Sequence, residues 1–181
     1  SPALVTVAGD HEALAELGAE CEAEGIRMRV VAASVSTHCA DVDPLRPKLL
    51  DVLAGITPRE PEVPIFSTVT GDRLAPGHLV DTEYWYVNTR EPVLFGPATE
   101  RLLEYGCAAF LEISPHPVLS LAIDGTATAA GAEPVVLGSL RRGEGGLERF
   151  LTSAGEAHTR GIPVDWTAVL PAASPVTLPT Y

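Results

Sequence analysis

The pattern of hydrophobic and polar residues changes between strand-like and helix-like spacing in the first 35 residues. The apolar run over residues 4–8 predicts a short strand. Asp10 is a suitable N-cap, and the apolar residues after it recur at helical spacing until Gly25. Residues 27–35 alternate at first and then become wholly apolar, as a strand does on entering a core. We therefore predict β-α-β over this part of the chain.

Helical and strand patterns continue to alternate up to residue 140. Asp43 is predicted to cap a helix that has Pro44 at its first position and runs to Leu53. The further predictions are a strand over 63–69, a turn at 70–72, an aromatic helix or turn over 81–88, a helix over 96–105, a strand over 108–113, a helix ending at 128 and a strand over 135–140. This alternation is typical of an α/β sheet.

The region after residue 140 has a different character. Glycines at 143–146 indicate a boundary, and a helix is predicted over 147–160 with Phe150, Leu151 and Ala154 on one side. Its prolines predict an extended tail over 175–181.

Composition excludes several classes of function. The net charge of −12 argues against a protein that binds nucleic acid or an anionic membrane surface, and no apolar run approaches the length of a membrane span. The chain begins without Met or a basic signal region, which we take to indicate a piece of a longer polypeptide. Three isolated cysteines favour a reducing, cytoplasmic location.

His38 is the best candidate for chemistry, because a histidine where a buried strand meets a loop is well placed to act as a general base. The alternative is a histidine whose hydrogen bonds only serve the fold. No Gly-x-Ser-x-Gly turn supplies a nucleophile. Cys39 would point away from His38 on a strand, and Ser36 would share its face only if the strand continued. The residues alone thus indicate a base without a partner.

The other histidines carry weaker signals. His116 stands between two prolines after a predicted strand, where it could form a pocket wall or simply a tight turn into the next helix. No spacing of His, Cys or Asp fits a zinc site, and the sequence contains neither a Gly-x-Gly-x-x-Gly motif nor a P-loop motif.

Taken together, several motifs resemble the acyltransferase domain of modular type I polyketide synthases. They are VTVAGD at 5–10, VSTH at 35–38, YWYVNTREPVLF at 84–95 and LEISPHPVL at 111–119. The end of the chain resembles the linker that follows this domain, through GSLRR at 138–142, GGL at 145–147, GIPVDW at 161–166 and LPTY at 178–181. The match covers essentially the whole chain and corresponds to the C-terminal half of the domain plus that linker.

The resemblance implies an α/β-hydrolase-like large subdomain with an inserted ferredoxin-like small subdomain. Residues 1–33 would be the end of the small subdomain, 34–140 the C-terminal part of the large one, and 141–181 the linker. It also implies a Ser/His dyad in which His38 is the histidine and the serine precedes this sequence. A backbone carbonyl, by position that of Leu94, would hold the histidine Nδ1.

The implied reaction moves an acyl group from acyl-CoA, through an acyl-serine, to the phosphopantetheine thiol of an acyl carrier protein; no bound cofactor is expected. Val35, Ser36 and Thr37 occupy the family's specificity motif, which reads Tyr-Ala-Ser before a methylmalonyl-selecting histidine and His-Ala-Phe before a malonyl-selecting one. Without the bulky Phe, this chain is expected to accept a unit larger than malonyl, either a substituted malonyl or a branched starter.

The implied partners are the carrier protein, the N-terminal half of the acyltransferase and, through the linker, a ketosynthase domain. An anionic carrier protein would need a basic patch, for which Arg141 with Arg142, or Arg27 with Arg29, are candidates unless they are only solvated surface residues. The alternative function is an inert structural piece that docks on the ketosynthase.

Overall fold

The computed structural model describes residues 4–31, 36–170 and 177. Val35 and the predicted extended tail, apart from Thr177, lie outside the described residues. The chain divides into two compact units, one formed by residues 1–107 with 125–132 and the other by 108–124 with 133–181.

The first unit begins with helix α1 (His11–Ala23), which Asp10 caps as predicted by accepting the N–H of Glu12 at 2.8 Å. The predicted strands on either side of α1 are wrong for the described residues, because neither 4–8 nor 26–31 is paired in a sheet. Val5 and Val30 are both exposed there. A strand exists through its partner's hydrogen bonds, which an apolar run does not specify.

A 3-10 turn (Ala40–Leu45) leads directly into helix α2 (Arg46–Leu53). The predicted cap at Asp43 is wrong, since Asp43 lies inside the 3-10 turn and α2 begins after Leu45 without a side-chain cap. Val42 is the anchor of this turn, with only 1% of its surface exposed. Its burial fixes the segment that directly follows His38.

The hairpin of β1 (Phe66–Ser67) and β2 (Asp72–Arg73) is antiparallel and shorter than the predicted strand. Gly71, at φ 69, makes the predicted turn, and a Cβ there would lie 3.0 Å from Pro97. Helices α3 (Thr82–Arg90) and α4 (Phe95–Glu104) follow as predicted.

The strand predicted over 108–113, the helix predicted to end at 128 and the strand predicted over 135–140 are all present in the structure. Strands β3 (Ala109–Glu112) and β4 (Val135–Gly138) pair in parallel, with Ala109 opposite Val135. The connecting helix α5 is Ser120–Ala129, and α6 is Leu147–Thr159. On α6 the buried residues are Ser153 and Ala157, whereas Phe150 of the predicted apolar side is 46% exposed.

A second 3-10 turn (Trp166–Ala168) follows α6. None of the helices in the described part of the chain has the length and apolar character that crossing a bilayer requires.

Candidate active site

His38 lies in a loop and has a left-handed backbone, with φ 59. This conformation is uncommon outside glycine and costs roughly 1–3 kcal/mol, so it persists only where the surrounding structure enforces it. The strand alternation that was expected to put Ser36 on the face of His38 does not apply, because residues 36–39 contain no strand. His38 is half-buried.

Two hydrogen bonds join His38 to the end of α3. Its backbone N–H donates to the Thr89 carbonyl at 2.8 Å, and its ring Nδ1 lies 2.9 Å from the Glu91 carbonyl oxygen. The predicted carbonyl was that of Leu94, which is wrong by three residues. The prediction that a backbone carbonyl holds the ring is nevertheless correct in kind.

Local backbone geometry explains the correction. The Leu94 carbonyl accepts the N–H of Ala98 at 3.0 Å and therefore points along α4, as the first acceptor of that helix. Glu91 precedes Pro92, which disfavours helical backbone at Glu91, and its ψ is 158. Its carbonyl is therefore turned out of the α3 ladder. The Glu-Pro dipeptide at a helix end was the sequence signal that could have identified this carbonyl.

The contact with Glu91 determines the tautomer of the ring. A carbonyl oxygen can only accept, so the hydrogen bond requires Nδ1 to carry the proton. In the neutral ring Nε2 is then an acceptor, and it has no hydrogen-bond partner among residues 4–31 and 36–170. With Nδ1 hydrogen-bonded in this way, Nε2 of the neutral ring is the nitrogen that can accept a proton.

Asp43 joins the same end of α3 from the 3-10 turn. Its Oδ1 accepts from Arg90 Nε at 2.5 Å and from the Tyr86 hydroxyl at 3.0 Å. The hydrogen bond from Arg90, followed by that from Tyr86, holds the pKa of Asp43 below its ordinary value. We call Asp43, Tyr86 and Arg90 the clamp; sequence reasoning missed it because Asp43 looked like a helix cap.

A separate ion pair joins α2 to the first turn of α3. Arg46 contacts Glu83 at 2.6 Å, and its guanidinium lies 5.2 Å from the centre of the Tyr86 ring. Both charged side chains are about half exposed. Helix α3 is therefore tied at both ends to the segment that follows His38.

Of the three predicted specificity residues, Ser36 and Thr37 lie in the loop before His38 and are exposed. Val35 lies outside the described residues. The exposure of Ser36 and Thr37 leaves their side chains accessible to a ligand.

His116 lies in the second unit, in the loop between β3 and α5. Its Nδ1 accepts the backbone N–H of Arg142 at 3.3 Å. With Arg141 and Arg142 it lines a shallow, open cavity of about 460 Å³. Both alternatives given for His116, a pocket wall and a tight turn before the next helix, agree with this location.

Glu112 organises the same loop and was not singled out from the sequence. Its carboxylate accepts the N–H groups of Val118 and Leu119, at 3.0 Å and 2.9 Å, and the Ser114 hydroxyl at 3.0 Å. Burial raises the pKa of Glu112, but these hydrogen bonds outweigh it and the pKa is lowered. Since the carboxylate precedes its N–H partners by six and seven residues, no local capping pattern announces it.

Three serines connect this loop to β4 and α6. Ser139 Oγ accepts the N–H of Ser114 at 3.1 Å, and the Ser153 hydroxyl donates to the Ser139 carbonyl at 3.0 Å. Ser139 and Ser153 are buried, so these bonds satisfy groups that water does not reach. No group of His, Cys, Asp and Glu in the described ranges is arranged to hold a metal ion.

Comparison with known proteins gives consistent results. Residues 1–164 match the family described as acyl transferase domain. The chain is 48% identical over 180 residues to polyketide synthase GfsB of Streptomyces halstedii, covering 99% of this chain and 3% of that protein.

Two solved structures are also similar. The acyltransferase domain from module 8 of the salinomycin polyketide synthase has a TM-score of 0.84 and 48% identity, covering 90% of this chain and 38% of that one. A loading acyltransferase from the avermectin modular polyketide synthase has a TM-score of 0.74 and 37% identity, covering 83% of this chain and 46% of that one. The chain therefore spans less than half the length of each protein it matches here.

Proposed function

Because the chain belongs to the acyl transferase domain family, we propose that His38 is the general base of an acyl transfer reaction within a polyketide synthase. The reaction moves an acyl group from CoA to the phosphopantetheine thiol of an acyl carrier protein. The observation that carries the proposal is the hydrogen bond from His38 Nδ1–H to the Glu91 carbonyl, because it leaves Nε2 as a proton acceptor.

In the first half-reaction, His38 Nε2 takes the proton of a serine hydroxyl as the serine oxygen attacks the thioester carbonyl of acyl-CoA. The C–S bond then breaks, and the proton on Nε2 passes to the departing CoA sulfur. The serine is proposed to belong to a Gly-x-Ser-x-Gly turn in synthase residues outside this sequence. The product is an acyl-serine ester and free CoA.

In the second half-reaction, Nε2 takes the proton of the phosphopantetheine thiol, and the thiolate attacks the ester. The ester C–O bond breaks and the serine oxygen recovers the proton from Nε2. Throughout, the Glu91 carbonyl accepts the Nδ1 hydrogen and keeps the ring in one orientation, so that Nε2 is the nitrogen that takes and returns the proton.

The finer architecture is part of the proposal. Residues 1–33 are assigned to a ferredoxin-like small subdomain, 34–140 to an α/β-hydrolase-like large subdomain and 141–181 to the linker. The parallel β3–α5–β4 unit supports the second assignment, since crossover connections of this kind build parallel α/β sheets.

Selection of the acyl group is assigned to Val35, Ser36 and Thr37, with His116 as a pocket wall. Two short side chains before His38 leave room for a substituent on the acyl group, so we propose a substituted malonyl unit or a branched starter. Discrimination of one methylene in an apolar pocket amounts to about 1–3 kcal/mol, so a preference rather than exclusion of malonyl is expected.

The partners are proposed to be the acyl carrier protein, the N-terminal half of the acyltransferase and a ketosynthase domain packed on the linker. Exposed apolar side chains on α6 and after it support a packing role; they include Leu147, Phe150 and Leu170. This observation also favours the second candidate function, an inert docking piece.

Acylation of the intact synthase module distinguishes the two candidates. The module is mixed with radiolabelled methylmalonyl-CoA or malonyl-CoA, and protein-bound label is followed in time. We expect His38→Ala to slow labelling by roughly 10²- to 10⁴-fold, the usual contribution of a general base.

The matched control is His11→Ala, which removes an exposed histidine from the start of α1 and should label at the rate of the unsubstituted module. Labelling of the His38→Ala module at that same rate would refute the assigned base and favour the docking role.

A further inference from the structure

The hydrogen bonds around His38 show that its position depends on α3 rather than on its own loop. The Thr89 carbonyl holds its backbone and the Glu91 carbonyl holds its ring. Because the left-handed backbone of His38 is intrinsically unfavourable, these contacts maintain it. Any shift of the last turn of α3 would therefore move the imidazole.

The clamp acts on the residue between those two carbonyls. Arg90 lies between Thr89 and Glu91, and its Nε donates to Asp43. Asp43 in turn follows His38 by five residues, through a turn anchored by the buried Val42. The chain of contacts is thus closed: it leads from the imidazole to α3 and returns through Asp43.

Four hydrogen bonds join residues 38–43 to residues 86–91, two from His38 and two to Asp43. Those of His38 lock the base to the helix end, and those of Asp43 prevent the helix end from rotating about that contact. The exposed ion pair of Arg46 with Glu83, at the first turn of α3, is separate from these four hydrogen bonds.

We propose that Asp43 is a positioning residue for the base: it holds the last turn of α3 so that the Glu91 carbonyl meets His38 Nδ1 and Nε2 faces the reacting atoms. This inference rests on the proposed function. Asp43 acts through Arg90 and contacts neither substrate nor nucleophile in this role. The lowered pKa of Asp43 keeps its carboxylate charged at neutral pH, as its hydrogen bond from Arg90 requires.

The test measures acylation of the intact module by radiolabelled methylmalonyl-CoA. The time course gives two separate quantities, the rate constant of labelling and the final amount of label per protein. We expect Asp43→Ala to lower the rate constant roughly 10- to 100-fold, the effect of misplacing a reacting group by about 1 Å. The KM for methylmalonyl-CoA should stay within about twofold, because substrate contacts are untouched. Asp43→Asn keeps the shape of the side chain but not its charge, so its rate constant should lie between those of the unsubstituted module and Asp43→Ala.

A merely structural role would reduce the amount of label, through a smaller active fraction, and leave the rate constant of the active molecules unchanged. That result, for Asp43→Ala or, if that variant is insoluble, for Asp43→Asn, would overturn the proposal. Asp43→Glu should recover part of the rate constant. Combining Asp43→Ala with Arg90→Ala should cost little more than either change alone, since both remove the same link.

The matched control is Glu83→Gln, which removes an exposed ion pair between α2 and the first turn of α3, two turns of α3 away from Arg90. It should leave the rate constant unchanged; a loss equal to that of Asp43→Ala would overturn the special role of the clamp. The His38→Ala module separates the two proposals. If it labels normally, the proposed function fails, and if it alone is slow while Asp43→Ala is normal, only the positioning role fails.

Discussion

Gly138 at the end of β4 is required by its neighbour. A Cβ at this position would lie 2.8 Å from Cγ and 2.9 Å from Cβ of Pro117, in the loop that carries His116. We predict that Gly138→Ala destabilises this part of the second unit. The proline ring is rigid, so it cannot rotate away as a flexible side chain would.

The geometry sets the magnitude. Ordinary contacts begin at 3.4 Å, so strand or ring must move by about 0.6 Å, the difference between 3.4 Å and 2.8 Å. Overpacking of this kind typically costs about 1–3 kcal/mol. Because Gly138 pairs with Glu112 in the sheet, the strain should fall on the β3–β4 hydrogen bonds.

Hydrogen–deuterium exchange of the intact module, read by mass spectrometry, reports on this local stability. The Ser139 N–H, which donates to the Glu112 carbonyl at 2.9 Å, is a direct reporter. A loss of about 1–3 kcal/mol corresponds to exchange roughly 5- to 150-fold faster in peptides that cover β4. Peptides covering α1, in the first unit, should exchange as before.

The control is Gly155→Ala in α6, where a Cβ would meet nothing within 4 Å; its exchange should be unchanged or slower. Adding Pro117→Gly to Gly138→Ala removes the clashing ring and should restore part of the protection. The steric reasoning would be refuted if Gly138→Ala exchanged like the unsubstituted module, or if Pro117→Gly brought no recovery in the double variant.

Two further predictions concern the same unit. Since the folded state lowers the pKa of Glu112, its carboxylate stabilises the start of α5 above the ordinary pKa of a glutamate and loses that effect as the pH falls through the lowered value. Protection at the α5 start, taken as the exchange rate relative to that of the unfolded peptide at the same pH, should therefore fall at acid pH. Glu112→Gln should remove this pH dependence of the protection, whereas the exposed Glu133→Gln should retain it. Ser153→Ala leaves the buried Ser139 carbonyl without its hydrogen-bond donor and should cost about 1–3 kcal/mol, measured as faster amide exchange where α6 meets β4. Thr152→Ala, on the exposed side of α6, should have a smaller effect, and equal effects of the two variants would contradict the burial argument.

Sequence reasoning succeeded where the signal was local. Asp10 followed by helical spacing gave α1, and the apolar runs at 108–113 and 135–140 gave the strands β3 and β4. The family of the chain was also recognised correctly from its motifs. Each of these features depends on residues close together in the sequence or on a pattern met as a set.

The failures concern contacts between distant segments. Asp43 is a residue type that often caps helices, but its side chain accepts a hydrogen bond from Arg90, 47 residues later. The carbonyl that holds His38 belongs to Glu91 rather than Leu94, and the Glu-Pro dipeptide that orients this carbonyl lies 53 residues from His38. The apolar run at 4–8 predicted a strand, although pairing requires a neighbour that the run does not specify.

The clamp has a consequence for the design of chimeric synthases. An exchange of only the residues proposed to select the acyl group would join a foreign loop to α3 of the recipient, although four hydrogen bonds fix His38 and Asp43 to that helix. The natural unit of exchange is therefore discontinuous: residues 36–46 together with 82–91. Donor and recipient that share the Asp43–Arg90 pair should tolerate shorter grafts than pairs that do not.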